Sequence, residues 1–421
     1  MKYNIKQFLI TILCLLMLFV LCYFINLKNS AGTATLPSLF DDEIQESVLE
    51  PKELFLETWS LIKANYWDND LNEQDWNRWK RRYLKEIKTE NDAYVAINTM
   101  LASLNDPYSR FLSPNEFMEQ NNSIDSKIYG IGINIASVSG KIYIINVVKG
   151  APAELAGLKP GDMILKINGH DIKGDSVFET ANYIKGAENS LVDIVILRND
   201  TKINKKIKRA EIKVKTVDSE IIDKEIGYIR ISSFISSETP VEFIDALNKV
   251  QDTKALILDL RGNTGGLFQN AVFTANMFLE KGNIVRVIGR GGYDSSYTAE
   301  HKEYVYEKPL VVLVDGESAS ASEIVSAALK DNKRATIVGT KTYGKGVVQK
   351  VYTMPNNTGM NLTIARYLTP NGNDINKKGI EPDYRVEITE NDYENNFDSQ
   401  LNFAKNILYD EMKKEKIAGV H

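Results

Sequence analysis

The sequence predicts a multidomain protein of mixed α+β and α/β structure, and three observations support this fold class. A long uncharged run near the N-terminus is typical of a membrane helix, and residues with helical periodicity follow it. From residue 124 onwards, short runs of alternating apolar residues predict a β-rich module. Beyond residue 216 strands and helices alternate, which predicts an α/β core with a largely parallel sheet and then a C-terminal helix.

These patterns divide the 421 residues into successive segments. A chain of this length, with 43% hydrophobic and 25% charged residues, can bury more than one core. The predicted boundaries are a membrane helix at 1–27, a linker at 28–50, a helical domain at 51–122, a β-rich module at 123–215, an α/β core at 216–390 and a C-terminal helical tail at 391–421.

The N-terminal segment carries a signal for export. Residues 8–27 contain no charge and are long enough to span a bilayer as a helix. Lys2 and Lys6 precede this run, so we expect a single-pass membrane protein with its bulk outside the cytoplasm. The alternative is a signal peptide that is cleaved near the small residues of 30–34, which would release a secreted protein. The apolar run is longer than a usual signal core, and this favours the uncleaved anchor.

Composition excludes several kinds of site. Both cysteines, Cys14 and Cys22, lie within the apolar run, so the exported part has no disulfide, cysteine nucleophile or thiolate metal site. The three histidines lie in no metal-binding pattern, and we expect neither a metal nor another cofactor. The net charge is −5, and the basic run 202–215 mixes lysine with isoleucine as a half-exposed strand pair does, which disfavours nucleic-acid binding.

Apolar spacing predicts the helices and strands before the α/β core. A second helix at 91–104 is predicted to turn Tyr94, Ile97 and Leu101 inward, and the β-rich module is predicted to contain a hairpin that turns at Ser139 and Gly140. In the first helix, spacings of four, three and four residues place four apolar residues on one face: Phe55, Trp59, Ile62 and Tyr66. Later in the module we predict a helix at 178–186 and a strand at 191–199.

The α/β core and the tail are predicted from the same periodicities. Strands are expected at 227–231, 255–260, 310–314 and 335–338, and helices at 239–250, 267–280 and 320–330. The last helix, 398–416, is expected to place one apolar face inward: Leu401, Ala404, Leu408 and Met412.

The stretch GTKTYGKGVVQ, residues 339–349, contains the first seven positions of a phosphate-binding loop. After Lys345, however, the residue is Gly346, where such a loop needs serine or threonine to hold Mg²⁺. The sequence that follows is typical of a strand, whereas a phosphate loop opens a helix. In a nucleotide-binding protein of this kind, the strand whose terminal acid holds the metal follows the loop. Here the strand that ends in an acid, 255–259, precedes the loop, so nucleotide binding is disfavoured.

The stretch ESASASEIVSAALKD, residues 317–331, places three serines before a predicted helix. The first amides of a helix have no partner inside it and can hold an oxyanion while a serine attacks a carbonyl. A serine-rich helix cap is the alternative interpretation. The chemistry of the stretch leaves Ser318, Ser320 and Ser322 open as nucleophiles.

A serine nucleophile needs a base, and lysine can serve where no histidine is available. Free lysine has a pKa near ~10.4, so a pKa of about 7–8 requires about 4 kcal/mol of destabilisation of the ammonium. Tyr343, Val347 and Val348 flank Lys345 and are expected to supply apolar surroundings. The alternative is a solvated lysine in a glycine turn.

The third segment is DLRGNTGGLFQNA, residues 259–271, which follows a predicted strand. Its glycines expose backbone amides before a helix, and this suits a second oxyanion donor. Asp259 and Arg261 are expected to brace the loop and not to touch the substrate.

These motifs resemble those of the C-terminal processing peptidases, also called tail-specific proteases, over about residues 50–410. The resemblance implies a Ser-Lys endopeptidase with a crotonase- or ClpP-like core and an inserted PDZ domain, which would be the β-rich module. It rests on these segments in order: DPYSRFLSP (106–114), YGIGINI (129–135), APAELAGLKPGDMILKING (151–169), DLRGNTGG (259–266), SASASEI (318–324), TYGKGVVQ (342–349), YLTPNGNDINKKGIEPD (367–383) and DSQLNFA (398–404).

The resemblance also assigns roles in the site. It selects Ser320 as the nucleophile, Lys345 as the general base and Gln349 as the residue that orients the lysine. Asp331 matches a supporting acid. The oxyanion hole is expected from the N–H group of Ala321 and that of one further residue, Gly265 or Gly266.

In the PDZ domain, the resemblance places a carboxylate-binding loop at YGIGI. Its residues would bind a free C-terminus, while the strand 131–135 would pair with the peptide by β-augmentation. The residues concerned are Tyr129, Gly130, Ile131, Gly132 and Ile133. Protein or peptide C-termini are therefore expected as substrates or activators. A homodimer is also expected, because the first helices and the helix at 398–416 have apolar faces at opposite chain ends, and relatives pair through such regions.

The expected function is that of a membrane-anchored, extracytoplasmic serine endopeptidase that processes protein C-terminal regions. The alternative is a catalytically silent scaffold that uses its PDZ domain to bind peptides. An intact set of Ser320, Lys345 and Gln349 disfavours that alternative.

Overall fold

The computed structural model describes residues 48–124, 127–138, 140–175, 177–213, 215–300, 306–390, 392, 395 and 397–418. The first of its two compact units contains the described residues up to Pro114 together with Asn283–Thr298 and Gly346–Asp374. The second contains Asn115–Gly282, Ala299–Lys345 and the described residues from Ile375 onwards. Both units are discontinuous along the chain, whereas the predicted domain boundaries follow chain order and stay predictions.

The predicted membrane helix at 8–27 lies outside the described residues. Among the helices that are described, none has the length and apolarity to cross a bilayer.

The described residues form the predicted elements of the α/β core, and they also form strands at 110–112, 283–289, 294–298 and 358–368 that were not predicted. The helices are α1 Pro51–Asn65, α2 Asn77–Tyr83, α3 Glu90–Ala102, α4 Pro114–Ile124, α5 Pro152–Leu155, α6 Val177–Ile184, α7 Thr239–Lys249, α8 Phe268–Asn276, α9 Ala321–Asp331 and α10 Ser399–Ala418, with a 3₁₀ turn at Arg290–Gly292. The strands are β1 Arg110–Leu112, β2 Lys127–Gly130, β3 Ile133–Val138, β4 Lys141–Val147, β5 Met163–Ile167, β6 His170–Asp171, β7 Leu191–Arg198, β8 Thr201–Lys208, β9 Ala210–Lys213, β10 Val217–Ile222, β11 Ile226–Ile231, β12 Ala255–Asp259, β13 Asn283–Gly289, β14 Asp294–Thr298, β15 Leu310–Val314, β16 Thr336–Gly339, β17 Val347–Met354, β18 Thr358–Leu368 and β19 Tyr384–Arg385.

The first unit packs helices against an antiparallel sheet. Helix α3 begins at a capping box, in which the Asp92 amide donates to the Thr89 hydroxyl and the Thr89 amide donates to the Asp92 carboxylate. The sheet has the order β1-β18-β13-β14, and β17 also pairs with β18. The predicted apolar face of α1 is confirmed, because all of its members are buried: Phe55, Trp59, Ile62 and Tyr66.

The second unit contains the β-rich module, whose main sheet has the order β3-β4-β5-β7-β8. Strand β6 pairs with β5, and β2 forms a separate ribbon with β9. The basic run at 202–215 contributes to β8 and β9, but the predicted pairing of these two strands is wrong, because β8 pairs with β7 and β9 pairs with β2. The module's core is rich in isoleucine and includes Ile131, Ile144, Ile167, Ile194 and Ile196.

The same unit contains a sheet with the order β10-β11-β12-β15-β16-β19. Strands β10 and β11 pair antiparallel, while the remaining neighbours are parallel, which agrees with the predicted largely parallel core. Every residue of β12 and β15 is buried. Continuous burial is typical of central strands with helices on both faces.

Helix α10 covers one face of this parallel sheet. Ala404, Leu408 and Met412 pack in one core cluster with apolar residues of the strands, among them Ile257 and Leu313. The inward face predicted for this helix is confirmed. Since it packs on the protein's own sheet, this face is not an unoccupied surface for a second subunit.

Candidate active site

Three motif segments meet because their strands are neighbours. Strands β12, β15 and β16 lie side by side and parallel, so their carboxyl ends share one edge of the sheet. Ligands and catalytic groups of open α/β sheets commonly lie at this edge. The segment 260–267 follows β12, 315–320 follows β15, and 340–345 follows β16. The sheet therefore brings the glycine loop, the serine segment and the lysine segment together.

The structure distinguishes among the three serines. Ser318 and Ser322 are fully buried, and each hydroxyl donates to a backbone carbonyl, that of Leu260 at 2.8 Å and that of Asn263 at 2.8 Å. Ser320 is only half-buried. The first two serines thus connect neighbouring loops, while Ser320 has the exposure that a nucleophile needs.

Ser320 also has an unusual backbone. Its φ is 54° and its ψ is −110°, immediately before helix α9 begins at Ala321. A non-glycine residue in such a conformation costs about 1–3 kcal/mol and is found preferentially at functional sites. A sharp strand-to-helix turn presents the nucleophilic serine in α/β-hydrolases. The Ala321 amide, the first of the helix, lies at a position that has no acceptor within the helix itself.

The two candidate oxyanion glycines have different surroundings. A Cβ atom on Gly265 would lie 2.9 Å from the Ser320 Cβ and 3.0 Å from the Ala321 nitrogen, so Gly265 borders the serine. Its N–H group donates to the Asn263 side chain at 2.9 Å. Gly266 packs instead against Phe234, whose carbonyl carbon would lie 2.1 Å from an added Cβ. Only glycine fits at either position, and the loop passes directly beside Ser320.

Lys345 lies at the end of the lysine segment and is half-buried. The segment is held by the stretch 375–380, since the Thr342 amide donates to the Ile380 carbonyl at 3.1 Å and the Lys377 amide to the Gly344 carbonyl at 2.8 Å. Tyr343, which is expected to help bury the lysine, is itself 59% exposed. A strand and not a helix follows, which also contradicts a phosphate loop.

Glu323, to which no catalytic motif in the sequence assigns a role, connects the serine and lysine segments. The residue is fully buried on the first turn of α9. Its Oε2 accepts from the Ser320 amide at 2.8 Å and from the Lys345 amide at 2.9 Å. Its Oε1 accepts from the Thr342 hydroxyl at 2.6 Å and from the Gly344 amide at 2.8 Å. One carboxylate oxygen therefore holds the backbones of Ser320 and Lys345 together.

Replacing Glu323 by glutamine should disturb this arrangement. Both carboxylate oxygens accept from backbone N–H groups, so either orientation of the amide sets an NH₂ group against at least one of those donors. We expect the free energy of unfolding to fall by about 2–4 kcal/mol and kcat to fall at least about tenfold. Thermal denaturation and peptide-cleavage kinetics measure the two effects.

Glu317→Gln is the matched control, because Glu317 is an exposed acid of the same segment. It should leave both quantities unchanged. Wild-type kcat in the Glu323→Gln variant would contradict the role assigned to this carboxylate.

The remaining predicted site residues lie in two other places. Asp331 is the last residue of α9 and is half-buried. Gln349 belongs to β17 of the first unit, where the register against β18 shifts between Val348 and Gln349. Its side-chain amide donates to the Tyr108 carbonyl within that unit.

The predicted carboxylate-binding loop joins β2 to β3 in the β-rich module. Tyr129 and Gly130 end β2, and Ile133 begins β3. The Ile131 side chain is fully buried, so only its backbone is available to a ligand. Gly132 has a φ of 77°, and a Cβ there would lie 2.3 Å from that of Ala151. The tight loop therefore requires glycine at 132.

Strand β3 lies at the edge of its sheet, with β4 as its neighbour. Helix α6 packs near β3, and the Gly186 amide just after this helix donates to the Tyr129 carbonyl at 3.2 Å. An edge strand beside a helix, with a glycine loop at its start, can accept a peptide as an added strand.

Comparisons with known proteins agree with this architecture. Residues 225–386 match the model of peptidase family S41, residues 130–214 match the PDZ domain and residues 47–98 match the tricorn protease C1 domain. The carboxyl-terminal-processing protease of Synechocystis sp. is 37% identical over 349 residues, which cover 80% of this chain and 81% of that protein. The chain belongs to the carboxyl-terminal-processing protease family.

Further relatives agree with this membership. The carboxy-terminal processing protease CtpA of Bacillus subtilis is 40% identical over 307 residues, which cover 72% of this chain and 66% of that protein. Among solved structures, a photosystem II D1 C-terminal processing protease is similar with a TM-score of 0.56 and 31% identity, covering 81% of this chain and 94% of that one. This protease is thus a serine-type peptidase with a PDZ domain, and its substrates are proteins or peptides.

Proposed function

We propose that this protease hydrolyses peptide bonds with a catalytic dyad of Ser320 and Lys345. The observation that carries the proposal is the shared Glu323 oxygen, which accepts from the amides of both residues. The strained backbone of Ser320 and the burial of both rival serines support the same assignment.

The reaction begins when Ser320 Oγ attacks the carbonyl carbon of the scissile peptide and passes its proton to the neutral Nζ of Lys345. The carbonyl oxygen becomes an oxyanion, which the Ala321 amide and an amide of the Gly265–Gly266 pair stabilise. Lys345 then gives the proton to the leaving amine, and an acyl group remains on Ser320. Water, deprotonated by Lys345, hydrolyses this ester and restores the serine.

Gln349 and Asp331 are assigned supporting roles by the family resemblance. By that resemblance, Gln349 would orient the lysine and Asp331 would be a supporting acid. Neither residue takes or gives a proton in this scheme.

The PDZ domain selects substrates by their C-terminal carboxylate, which the loop of Tyr129 to Ile133 binds. The backbone of β3 pairs with the tail, and apolar side chains of the tail fill the space beside α6. The edge position of β3, with α6 beside it, supports this proposal.

A peptide substrate with an apolar tail and a free carboxylate is expected to be cleaved at least about tenfold more efficiently, in kcat/KM, than its C-terminal amide. The full-length chain in mild detergent and mass-spectrometric product analysis give both rates. Equal cleavage of acid and amide would contradict carboxylate recognition. No cleavage of either peptide, or of casein, would favour the silent scaffold.

The predicted anchor at 8–27 places the protease on the outer side of the cytoplasmic membrane, with release by signal cleavage as the alternative. A homodimer is proposed as well, although the α10 face that suggested it packs on the protein's own sheet. Sedimentation of the full-length chain tests this pairing. A chain that lacks 392–421 is unsuitable for the test, because the removal would expose the core and cause nonspecific association.

A further inference from the structure

The C-terminal helix meets the glycine loop of the active site at a buried arginine. Arg261, two residues after the end of β12, is only 9% exposed. Its guanidinium binds the Asp259 carboxylate through Nη2 at 2.6 Å, and its backbone amide donates to the same carboxylate at 2.9 Å. The Tyr228 hydroxyl also donates to Asp259, at 2.7 Å. This pairing determines the path of the chain as it leaves the strand.

The other partners of the guanidinium lie at the start of α10. Arg261 Nη1 donates to Asp398 Oδ1 at 2.9 Å and to Gln400 Oε1 at 3.1 Å, while Nη2 lies 2.9 Å from Asp398 Oδ2. Gln400 is 2% exposed, and its amide donates to the Val386 carbonyl at 2.8 Å. Hydrogen bonds between ionised groups are about twice as strong as neutral ones. The first turn of the helix is therefore bound firmly to Arg261.

The loop beyond Arg261 leads to the nucleophile. The Gly262 amide donates to Asp315 Oδ1 and Oδ2, each at 3.0 Å. The Asn263 carbonyl accepts from the Ala319 amide at 3.0 Å and from the Ser322 hydroxyl at 2.8 Å. These bonds connect the loop to both sides of Ser320. A shift at Arg261 would therefore move the glycines relative to the serine.

We propose that Asp398 and Gln400 are positioning residues for catalysis, which hold Arg261 and thereby fix the loop 260–266 beside Ser320. The inference rests on the proposed function, since it takes Ser320 as the nucleophile. Docking of the first turn of α10 is then a condition for transition-state stabilisation and not for substrate binding.

The charge state of Asp398 is consistent with this role. Burial raises its pKa, but hydrogen bonds from Arg261 and from the Leu401 amide outweigh that effect and hold the pKa below its ordinary value. A carboxylate with a lowered pKa contributes stability above its unfolded pKa of about 3.9, and the contribution is lost as the pH falls through the folded value. Asp398 is therefore ionised throughout the neutral range.

Asp398→Asn in the full-length chain should lower kcat about tenfold and leave KM within about twofold, because only the transition state uses the oxyanion amides. The kcat deficit should be the same at every pH from about 6 to 9. The matched control is Asp410→Asn, on the same helix, where the exposed carboxylate lies 3.6 Å from Lys413 Nζ. This control should retain wild-type kcat.

A double-variant comparison separates a positioning role from a general loss of structure. Asp398→Asn combined with Gln400→Ala should lower kcat by less than the product of the two single effects, because both residues act through Arg261. Fully multiplicative effects, or wild-type kcat in Asp398→Asn, would overturn the inference. If Ser320→Ala stays active, the proposed function fails instead. If Ser320→Ala is inactive while Asp398→Asn matches wild type, only the positioning role fails.

Discussion

Replacing Ser320 by alanine is expected to lower kcat by a factor of about 10⁴ or more, because the variant lacks the oxygen that forms the acyl intermediate. Binding of a tail peptide to the PDZ domain should stay unchanged, since that domain is a separate module with its own core. Cleavage of a tailed substrate by the full-length chain, with peptide binding measured by fluorescence anisotropy, gives both quantities.

Ser326→Ala is the matched control for the nucleophile. Ser326 is a buried serine of the same helix, and its hydroxyl donates only to the Ser322 carbonyl one turn earlier, at 2.8 Å, among the bonds that the structure describes. Its loss should lower stability slightly and leave kcat unchanged. Comparable activity in Ser320→Ala and Ser326→Ala would show that the nucleophile lies elsewhere.

Replacing Lys345 by methionine should lower kcat by a factor of about 10³ or more, because methionine fills similar space but accepts no proton. In the wild type, kcat/KM should fall as the pH is lowered, since an ammonium cannot act as a base. In Lys345→Met this pH dependence should disappear along with most of the activity. Rates over a pH series, with thermal denaturation to verify folding, provide the measurement.

Lys341→Met is the control for lost charge in the same segment. Lys341 is exposed, and its Nζ lies 3.1 Å from Glu381 Oε1, a surface pair that contributes little to stability. The Lys341→Met variant should cleave the peptide substrate at the wild-type rate. A pH profile in Lys345→Met that matches that of the wild type would contradict the assignment of this lysine as the base.

Much of the second unit was predictable because its signals are local. Each core strand is a short apolar run, and each helix has a periodic apolar face, so the elements lie within a few residues of the predicted bounds. The strand order then explains why the serine and lysine segments meet. No local pattern shows that order, because parallel neighbours are joined through long crossovers.

The sheet of the first unit could not be predicted from local patterns in the sequence. In this sheet, β18 pairs with β1 on one side and β13 on the other, and these three strands are far apart in the sequence. Antiparallel pairing over such distances leaves no signal in any single window of residues. The discontinuous composition of the unit therefore becomes visible only in three dimensions.

Glu323 was missed for a different reason. Ser320 and Glu323 have the spacing of a capping box, S-x-x-E, which is a recognised helix start. The pattern predicts that the Ser320 amide donates a hydrogen bond to the Glu323 carboxylate. It does not predict that Thr342, Gly344 and Lys345 share the same carboxylate, because they come from the neighbouring strand's loop.

The most direct test of the dyad is an experimental structure of the full-length chain with a peptide boronic acid, which forms a tetrahedral adduct with a nucleophilic serine. We expect boron bonded to Ser320 Oγ, with Lys345 Nζ within about 3 Å of that oxygen. A boronate oxygen should also lie about 3 Å from the Ala321 amide. Boron on another residue, or a Lys345 Nζ in bulk water more than about 5 Å from Ser320 Oγ, would contradict the dyad.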